Sequence, residues 1–269
     1  MSGYALDNAD PVAALHHDIL AELLDAHTRA RIKALVSAAT RHCLEIGAGG
    51  GSICWWLVQC GYQVTAVDAD VRLLRRIPQL HTVECDLSAP GALAAALHGG
   101  PGAGGGFDLV LARMTLLHLP NRRRLLGELV SLLAPGGVLL VEDWAMLPAA
   151  QRLVAAPSPG AGDLFTRVTG ALAAVFTGAG ADPMWATTVA EAMRQEGLTD
   201  VATVTHQGDW RGGSPGMRLS VLTTRQLRPR LLAHGLSERE LDTYAELAAD
   251  PALVVRGHPM YSVSGHTGP

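Results

Sequence analysis

One short stretch constrains the fold more than any other, a strand-like run that ends in a glycine-rich loop. Residues 43–46 (CLEI) lead into Gly47-Ala-Gly-Gly-Gly51, and helical character resumes over 52–59. Glycines between a strand and a helix let the backbone approach a ligand closely, and the backbone N–H groups that open the helix attract anionic and polar groups. The sequence therefore predicts a ligand site at this loop.

Strand-like and helix-like segments then alternate regularly. Further strands are predicted at 62–68, 81–85, 107–112 and 138–142, and helices at 70–77, 89–97 and 121–133. The connections are too short for anything but right-handed crossovers, which is typical of a parallel sheet covered on both faces. We therefore expect an α/β fold with a doubly wound sheet.

The rest of the chain lacks this alternation. An opening helix is predicted at 11–38, with His27-Thr28 as the place where it could divide in two. The second half is predicted to contain a linker at 148–162, helices at 163–177, 184–196, 219–234 and 237–248, and strands at 200–206 and 260–265. Ser237 is the expected N-cap of the last helix, with Glu240 at the capping-box position. A flexible surface loop is expected at 99–106 (GGPGAGGG).

Two apolar helices fall outside the five-strand core. We interpret 11–38 and 163–177 as a cap that closes over the ligand site, while the alternative is that they simply extend the core. The expected organisation is an N-terminal cap segment at 1–40 and a domain at 41–269 that carries a cap insertion at about 148–183.

Composition excludes several classes of function. The formal net charge is -4 and the pI about 6.2, which argues against nucleic acid as a partner. Cys43, Cys54, Cys60 and Cys85 form no C-x-x-C pair, so we expect free thiols and no metal site. The N-terminus does not read as a signal peptide, and apolar runs reach only about ten residues. We expect a cytoplasmic protein without a membrane partner.

The spacing of the glycines separates two kinds of site. A dinucleotide site requires G-x-G-x-x-G, but the sixth position is Ser52 when counting from Gly47 and Cys54 when counting from Gly49. The pattern present is E-x-G-x-G-x-G, which begins at Glu45. A nicotinamide dehydrogenase fits the expected fold but fails at this spacing.

The pattern E-x-G-x-G-x-G resembles the first motif of class I S-adenosylmethionine (SAM) methyltransferases. The resemblance extends over about 40–150: Asp68 matches the family's ribose-binding acid, and Asp86-Leu87 matches the pair that holds adenine. Residues 107–129 resemble the fourth motif with its following helix, and 132–144 the post-third motif. The family's fold is Rossmann-like, mostly parallel with a C-terminal antiparallel strand, and the last predicted strands fit that ending.

The resemblance implies a set of residues that bind SAM. Asp68 would accept the ribose hydroxyls, Asp86 the adenine amino group, and Glu45 would orient the loop towards the amino group of SAM; Arg113 would face the methionyl portion. For each there is a plainer interpretation: a surface turn residue, a helix N-cap, a structural acid and a surface arginine. The predicted cofactor-binding set is Glu45, Gly47, Ala48, Gly49, Gly51, Asp68, Ala69, Asp86, Leu87 and Arg113.

Catalytic residues are expected at the ends of the last two parallel strands, where the acceptor substrate would face the sulfonium. His118 and Asp143 are the candidates for a general base, against the alternatives of a packing histidine and a structural acid. His16, His17 and His258 are further candidates. Trp144 and Trp185 are expected either as pocket walls or as core.

The sequence therefore predicts a methyltransferase that uses SAM, releases S-adenosylhomocysteine and acts on a small molecule. We expect O-methylation first, N-methylation second and C-methylation third. Lys33 is the only lysine, which suggests a GC-rich bacterial genome and, by analogy, natural-product biosynthesis. A family member that binds SAM without methyl transfer remains an alternative, and a homodimer is left open.

Overall fold

The computed structural model describes residues 12–100 and 105–268. Residues 1–11, where the predicted first helix begins, lie outside this part. Residues 101–104 of the predicted glycine-rich surface loop also lie outside it.

Ten strands form two sheets in the described part of the chain. Seven strands form one sheet in the order β3-β2-β1-β4-β5-β10-β7, and three form a second sheet in the order β6-β9-β8. The strands are β1 (His42–Ile46), β2 (Gln63–Asp68), β3 (His81–Glu84), β4 (Phe107–Arg113), β5 (Leu133–Trp144), β6 (Leu153–Ala155), β7 (Thr199–His206), β8 (Asp209–Arg211), β9 (Val254–Arg256) and β10 (Met260–His266).

The large sheet confirms the predicted fold class. Strands β1 to β5 pair in parallel, and β10 runs antiparallel between β5 and β7. In this register Ile46 lies opposite Val67 on one side and Ala112 on the other. The carboxyl ends of β1, β2 and β4 therefore meet at one edge, where parallel α/β sheets bind their ligands.

Helices cover both faces of this sheet and also build a separate layer beyond its carboxyl edge. None of these helices has both the length and the apolar composition needed to cross a membrane. They are α1 (Ala13–Leu35), α2 (Ser52–Gln59), α3 (Ala92–Leu97), α4 (Arg122–Ser131), α5 (Ala149–Arg152), α6 (Pro159–Gly178), α7 (Val189–Gln195), α8 (Pro215–Gln226), α9 (Arg228–Ala233) and α10 (Glu238–Leu247).

Local chemistry explains where the predicted elements differ from the observed ones. The helix predicted at 70–77 is only a 3-10 turn at Leu74–Arg76. The Asp70 carboxylate accepts the backbone N–H of Arg72, which competes with a helix, and Ile77 is extended before Pro78. The helix predicted at 219–234 is divided into α8 and α9, because Pro229 cannot continue the ladder.

Two other differences concern the cap. The predicted linker at 148–162 is wrong, because it contains α5, β6 and the first turn of α6, which Ser158 caps. Helix α1 is continuous through His27-Thr28. The Thr28 hydroxyl bonds inward to the Leu24 carbonyl and to the Glu142 carboxylate, so this polar residue fastens the helix and does not break it. The capping box of Ser237 and Glu240 is confirmed.

The layer beyond the sheet has its own hydrophobic core. Helices α6, α8, α9 and α10 and strand β9 bury Phe165, Val168, Leu231, Tyr244 and Val255 against one another. Helix α1 joins this layer to the sheet, because Ile32 packs against the sheet while Ile19 and Leu24 pack with residues of α8. We refer to residues 145–178 and 208–258 as the cap layer. The division of the chain at residue 40 stays a prediction.

Candidate active site

A cavity of about 770 Å³ lies at the carboxyl edge of the large sheet, beneath the cap layer and α1. One wall comes from the ends of β1, β2 and β4 and the loops that follow, and the opposite wall comes from α1, α5, α6 and α8. All ten residues predicted to bind the cofactor line the cavity, as does His118. The structure therefore brings the predicted cofactor set together with one of the two predicted bases.

The glycine loop is shaped by positions that accept no side chain. Gly47, Gly49 and Gly51 have φ angles of +62°, +54° and +76°, a region that favours glycine. A Cβ at Gly47 would lie 2.1 Å from the Thr115 hydroxyl oxygen, and one at Gly49 would lie 2.7 Å from His17 Cε1. The backbone N–H of Ala48 donates to the Val67 carbonyl at 3.2 Å and fixes the loop on β2.

Asp68 is buried at the end of β2. Its carboxylate accepts the backbone N–H of Gly49 at 2.8 Å and that of Asp70 at 3.0 Å, so it organises the glycine loop. Burial raises its pKa, while these bonds and the nearby His17 lower it. A carboxylate has about four lone-pair sites, so hydrogen-bonding capacity remains for ligand hydroxyls. The plainer alternative, in which Asp68 is a surface turn residue, is wrong, because the residue is 7% exposed.

Glu45 lies on β1 beneath the loop and is 2% exposed. The Cys54 thiol donates to its carboxylate at 2.8 Å. Burial raises the pKa of Glu45 to about 7, and Arg113 opposes that shift. With this pKa the Glu45 carboxyl group is partly protonated at neutral pH, and a cationic ligand group beside it would favour its ionised form.

The predicted adenine pair follows β3. Asp86 is exposed, and its carboxylate accepts both the backbone N–H and the hydroxyl of Ser88. These bonds lower the pKa of Asp86, so it is ionised at neutral pH. Leu87 is buried, and its carbonyl accepts the side-chain amide of Asn121. Ala69 lines the cavity next to Asp68.

Arg113 ends β4 and pairs with a residue that the sequence did not single out. Its guanidinium donates to the Asp25 carboxylate of α1 at 2.8 Å and to the Ser52 hydroxyl at 3.2 Å. Ser52 itself donates to Asp25 at 2.9 Å. Both charged side chains are nearly buried, with 12% and 11% exposure. The alternative in which Arg113 is a surface arginine is therefore wrong, and no sequence motif indicates the contact between α1 and β4.

Three histidines that were candidate bases line the cavity. His16 and His17 come from α1, and His118 from the turn after β4. Burial, together with the nearby His16 and Arg122, lowers the pKa of His118 to about 4. Burial, reinforced by His17, likewise lowers the pKa of His16 to about 4. Both imidazoles are therefore neutral at pH 7 and able to accept a proton.

Asp143, the other predicted base, does not line the cavity. It is 1% exposed, and its two carboxylate oxygens accept the backbone N–H groups of Thr115 at 3.1 Å and Leu117 at 3.2 Å. Burial raises its pKa well above the usual value, against the effect of those bonds. Its contacts fix the turn that carries His118, so the geometry favours a positioning role; its role as a base stays a prediction.

The wall formed by α1, α5, α6 and α8, which we call the cap wall, contains residues that the sequence did not single out. Arg152 of α5 and Gln226 of α8 both line the cavity, and the side-chain oxygen of Gln226 is buried without a hydrogen-bond partner. His258 and Trp144 line it as predicted, whereas Trp185 lies in the core beneath the sheet and does not. No motif signal marks Arg152 or Gln226, because they become neighbours of the cavity only through the fold of the cap layer.

Comparison with known proteins locates the chain among enzymes. A family model described as a methyltransferase domain matches residues 15–203. The chain is 35% identical over 125 residues to Methyltransferase str3 of Strobilurus tenacellus, covering 42% of this chain and 39% of that protein. It is 29% identical over 119 residues to a ubiquinone biosynthesis O-methyltransferase of Xanthomonas axonopodis pv. citri (strain 306), covering 44% and 49%. The matches thus span less than half of these relatives.

Solved structures share the fold. A methyltransferase-like protein from Bacillus halodurans aligns with a TM-score of 0.57 at 15% identity, covering 91% of this chain and 100% of that one. Phosphoethanolamine N-methyltransferase 2 of Haemonchus contortus, solved with S-adenosylhomocysteine, aligns with a TM-score of 0.54 at 15% identity, covering 91% and 53%. At such identities the likeness concerns the fold alone.

Proposed function

The chain belongs to the methyltransferase domain family, and from that premise we propose that it transfers a methyl group from SAM to a hydroxyl of a small molecule. The observation that carries the proposal is a cavity with two unlike walls. One wall has a side-chain-free loop and a buried carboxylate, and the other has apolar side chains and neutral histidines. Such a cavity suits a polar cofactor held beside a largely apolar acceptor.

The residues of the first wall fit SAM. Gly47, Gly49 and Gly51 line the cavity, and a Cβ at any of them would collide with a neighbouring side chain, so the loop keeps its shape only with glycine. The carboxylate of Asp68 holds this loop through the backbone N–H of Gly49. We propose that Asp68 accepts the ribose hydroxyls, that Asp86 and Leu87 hold adenine, and that Glu45 balances the positive amino group. Arg113, paired with Asp25, would border the methionyl portion and hold α1 over it. When bound, SAM supplies an activated methyl group on a sulfonium.

The second wall would hold the acceptor. Trp144, Leu172 and Phe176 give it an apolar lining, and His118 lies 5.7 Å from the Phe176 ring. Methyl transfer gains from in-line alignment and from the exclusion of water, and α1 with the cap layer provides an enclosure for both.

His118 is the proposed general base for the acceptor hydroxyl. An imidazole with a pKa of about 4 is neutral at physiological pH, and it is basic enough to take the proton from a hydroxyl oxygen as that oxygen becomes positively charged. His16 stands beside it as an alternative. A third possibility is alignment alone, which would suit an amine or an acidic phenol.

A labelled-cofactor assay tests the function. The protein would be incubated with methyl-labelled SAM and a panel of phenols, alcohols and amines, and we expect label in an oxygen-linked product with an equal amount of S-adenosylhomocysteine. Label on nitrogen or carbon would instead indicate an N- or C-methyltransferase. SAM binding without any transfer would favour a non-methylating family member, and stabilisation by nicotinamide cofactors without SAM would favour a dehydrogenase.

The proposal also covers the setting of the enzyme. We propose that it works in a bacterial cytoplasm in natural-product biosynthesis, with no nucleic acid or membrane as partner. A homodimer was left open by the sequence, and sedimentation can measure the oligomeric state.

A further inference from the structure

Most polar groups on the cap wall are already satisfied by the protein. The hydroxyls of Thr166, Thr169 and Thr223 donate to carbonyls of their own helices. Ser220 shares a hydrogen bond with Tyr244. These side chains therefore require nothing from a ligand, and the groups that are not satisfied in this way stand out.

Arg152 is the clearest of these groups. The residue is 6% exposed, and its Nε donates to the carbonyl of Arg256 at 2.9 Å. Its guanidinium lies 5.4 Å from the centre of the Trp210 ring and 5.9 Å from that of Phe165. In residues 12–100 and 105–268, no carboxylate forms an ion pair with it.

Within the part of the chain that the structure describes, the cap side of the cavity provides no carboxylate for this arginine. No Asp or Glu occurs among the described cavity-lining residues from Trp144 to His258. The acids that line the cavity are Asp18 on α1 and three at the ends of the parallel strands. A buried cation without a counter-charge is costly, and aromatic faces offset only part of that cost. The guanidinium thus faces the cavity with its charge uncompensated.

His258 adds a second donor next to Arg152. Its Nδ1 accepts the backbone N–H of Leu147 at 3.1 Å, so the hydrogen of the neutral ring belongs on Nε2. Burial and the neighbouring Arg152 lower the pKa of His258 to about 3, against the opposing effect of the Ala145 backbone, and this keeps the ring neutral. Both residues contact Trp210, His258 with a ring distance of 6.2 Å. In this tautomer His258 donates a hydrogen bond and cannot serve as a base.

We propose that Arg152, assisted by His258, binds a carboxylate of the acceptor substrate. This inference rests on the proposed function and names its substrate class: a hydroxylated, largely apolar acid. One positive charge and one neutral donor match a monoanion, and the planar guanidinium suits the two oxygens of a carboxylate. The carboxylate would hold the far end of the acceptor while its hydroxyl faces His118.

Matched acids and esters provide the test. The protein loaded with S-adenosylhomocysteine would be titrated calorimetrically with 3,4-dihydroxybenzoate, 3,4-dihydroxycinnamate and 3-hydroxy-2-naphthoate, and with the methyl ester of each. We expect at least one acid to bind about tenfold or more tighter than its ester, as a charge-assisted pair would require. Arg152→Met should reduce that acid to the affinity of its ester and leave the ester and S-adenosylhomocysteine unaffected.

Two further variants keep the test decisive. Arg167→Met removes an arginine of α6 that is 58% exposed and paired with Glu240, and it should leave the preference for the acid intact. Arg152→Lys keeps the charge without the planar fork, and it should retain part of the preference even if the Met variant does not fold.

Several outcomes would overturn the proposal. It fails if no acid is preferred over its ester in the wild type, including the case in which none of them binds. It also fails if Arg152→Met weakens acid and ester alike together with a lower melting temperature, which is the result for a purely structural arginine. If acids bind through Arg152 but no labelled methyl group reaches them, the carboxylate site stands and the proposed transfer to such acceptors does not.

Discussion

The two walls of the cavity are constructed in different ways. The cofactor wall is made by backbone and short side chains at the ends of neighbouring strands, so its residues follow one another as Glu45–Gly51, Asp68 and Asp86. The cap wall is made by side chains from α1, α5, α6 and α8 and from His258. Residues at strand ends form short motifs that can be recognised in the sequence. Residues of packed helices come together only in the folded protein, so no motif marks them.

The largest effect is expected at His118, which lies in the turn after β4 and lines the cavity. His118→Ala should lower kcat by about 10²–10⁴-fold and leave SAM affinity unchanged, because the residue acts on the acceptor. Steady-state kinetics and calorimetry measure the two quantities. His98→Ala, on the exposed end of α3, is the matched control. Normal turnover in His118→Ala would transfer the role to His16 or leave alignment as the whole mechanism.

The pH dependence of kcat tests the same role of His118. With a pKa of about 4, His118 loses its ability to accept a proton only as the pH falls through 4. At saturating SAM, kcat should therefore stay level from neutral pH to about pH 5, well below the usual titration of histidine near 6.5. An acid limb at pH 6–7 that disappears in His118→Ala would show that the site is wetter than its burial implies.

Asp143→Asn distinguishes positioning from base catalysis. The amide has only one acceptor oxygen for the N–H groups of Thr115 and Leu117, so we expect a lower melting temperature together with the loss of rate. A variant with unchanged stability and a kcat reduced as much as in His118→Ala would instead identify Asp143 as a base.

On the cofactor wall the largest effect is expected at Gly49. Gly49→Val should weaken SAM binding by at least about 100-fold, because its Cβ would displace His17 and its φ of +54° is strained for a branched residue. Gly61→Val is the control, since that glycine has a φ of +88° but open space around its Cβ position. Equal loss of SAM affinity in both variants would attribute the effect to strain and not to the ligand site.

Asp68→Ala should weaken SAM binding by about 1.5–3 kcal/mol, the range for hydrogen bonds to a charged group. The variant also frees the N–H of Gly49, so part of the loss belongs to the loop. Asp70→Ala, which removes the next acid and its pairing with Arg72, should bind SAM normally. If Asp68→Ala folds and binds with full affinity, the ribose lies elsewhere and the motif alignment fails.

The smallest effect concerns the contact between the two walls. Asp25→Asn should lower the free energy of unfolding by about 1–2 kcal/mol, because the Asp25–Arg113 pair is nearly buried. Glu22→Gln breaks the exposed pair of α1 with Arg218 and should change it by less than about 0.5 kcal/mol. Chemical denaturation measures both, and equal effects would mean that burial does not distinguish the two pairs.

The limits of prediction from sequence follow the same division. The order of the parallel strands and the residues of the glycine loop could be predicted, because Gly47 and Asp68 each lie at a strand end next to a turn. Arg152 could not, and neither could its proximity to the candidate His258, since the two are more than 100 positions apart and meet only through β6, β9 and α5. The possible helix break at Thr28 was predicted for a related reason. The hydrogen-bond partner of Thr28 is Glu142, which is distant in the chain.

Helix α1 has a consequence for how such enzymes could be recombined. It is fastened to the parallel strands by Arg113 and Glu142, yet Leu24 packs with Leu219 and Leu222 of α8. A chimera that takes only the cap layer from another enzyme would place non-native side chains against α1, and the contact between α1 and α8 would then pack poorly. We therefore expect acceptor preference to be transferred only when helix α1 and the cap layer are exchanged together.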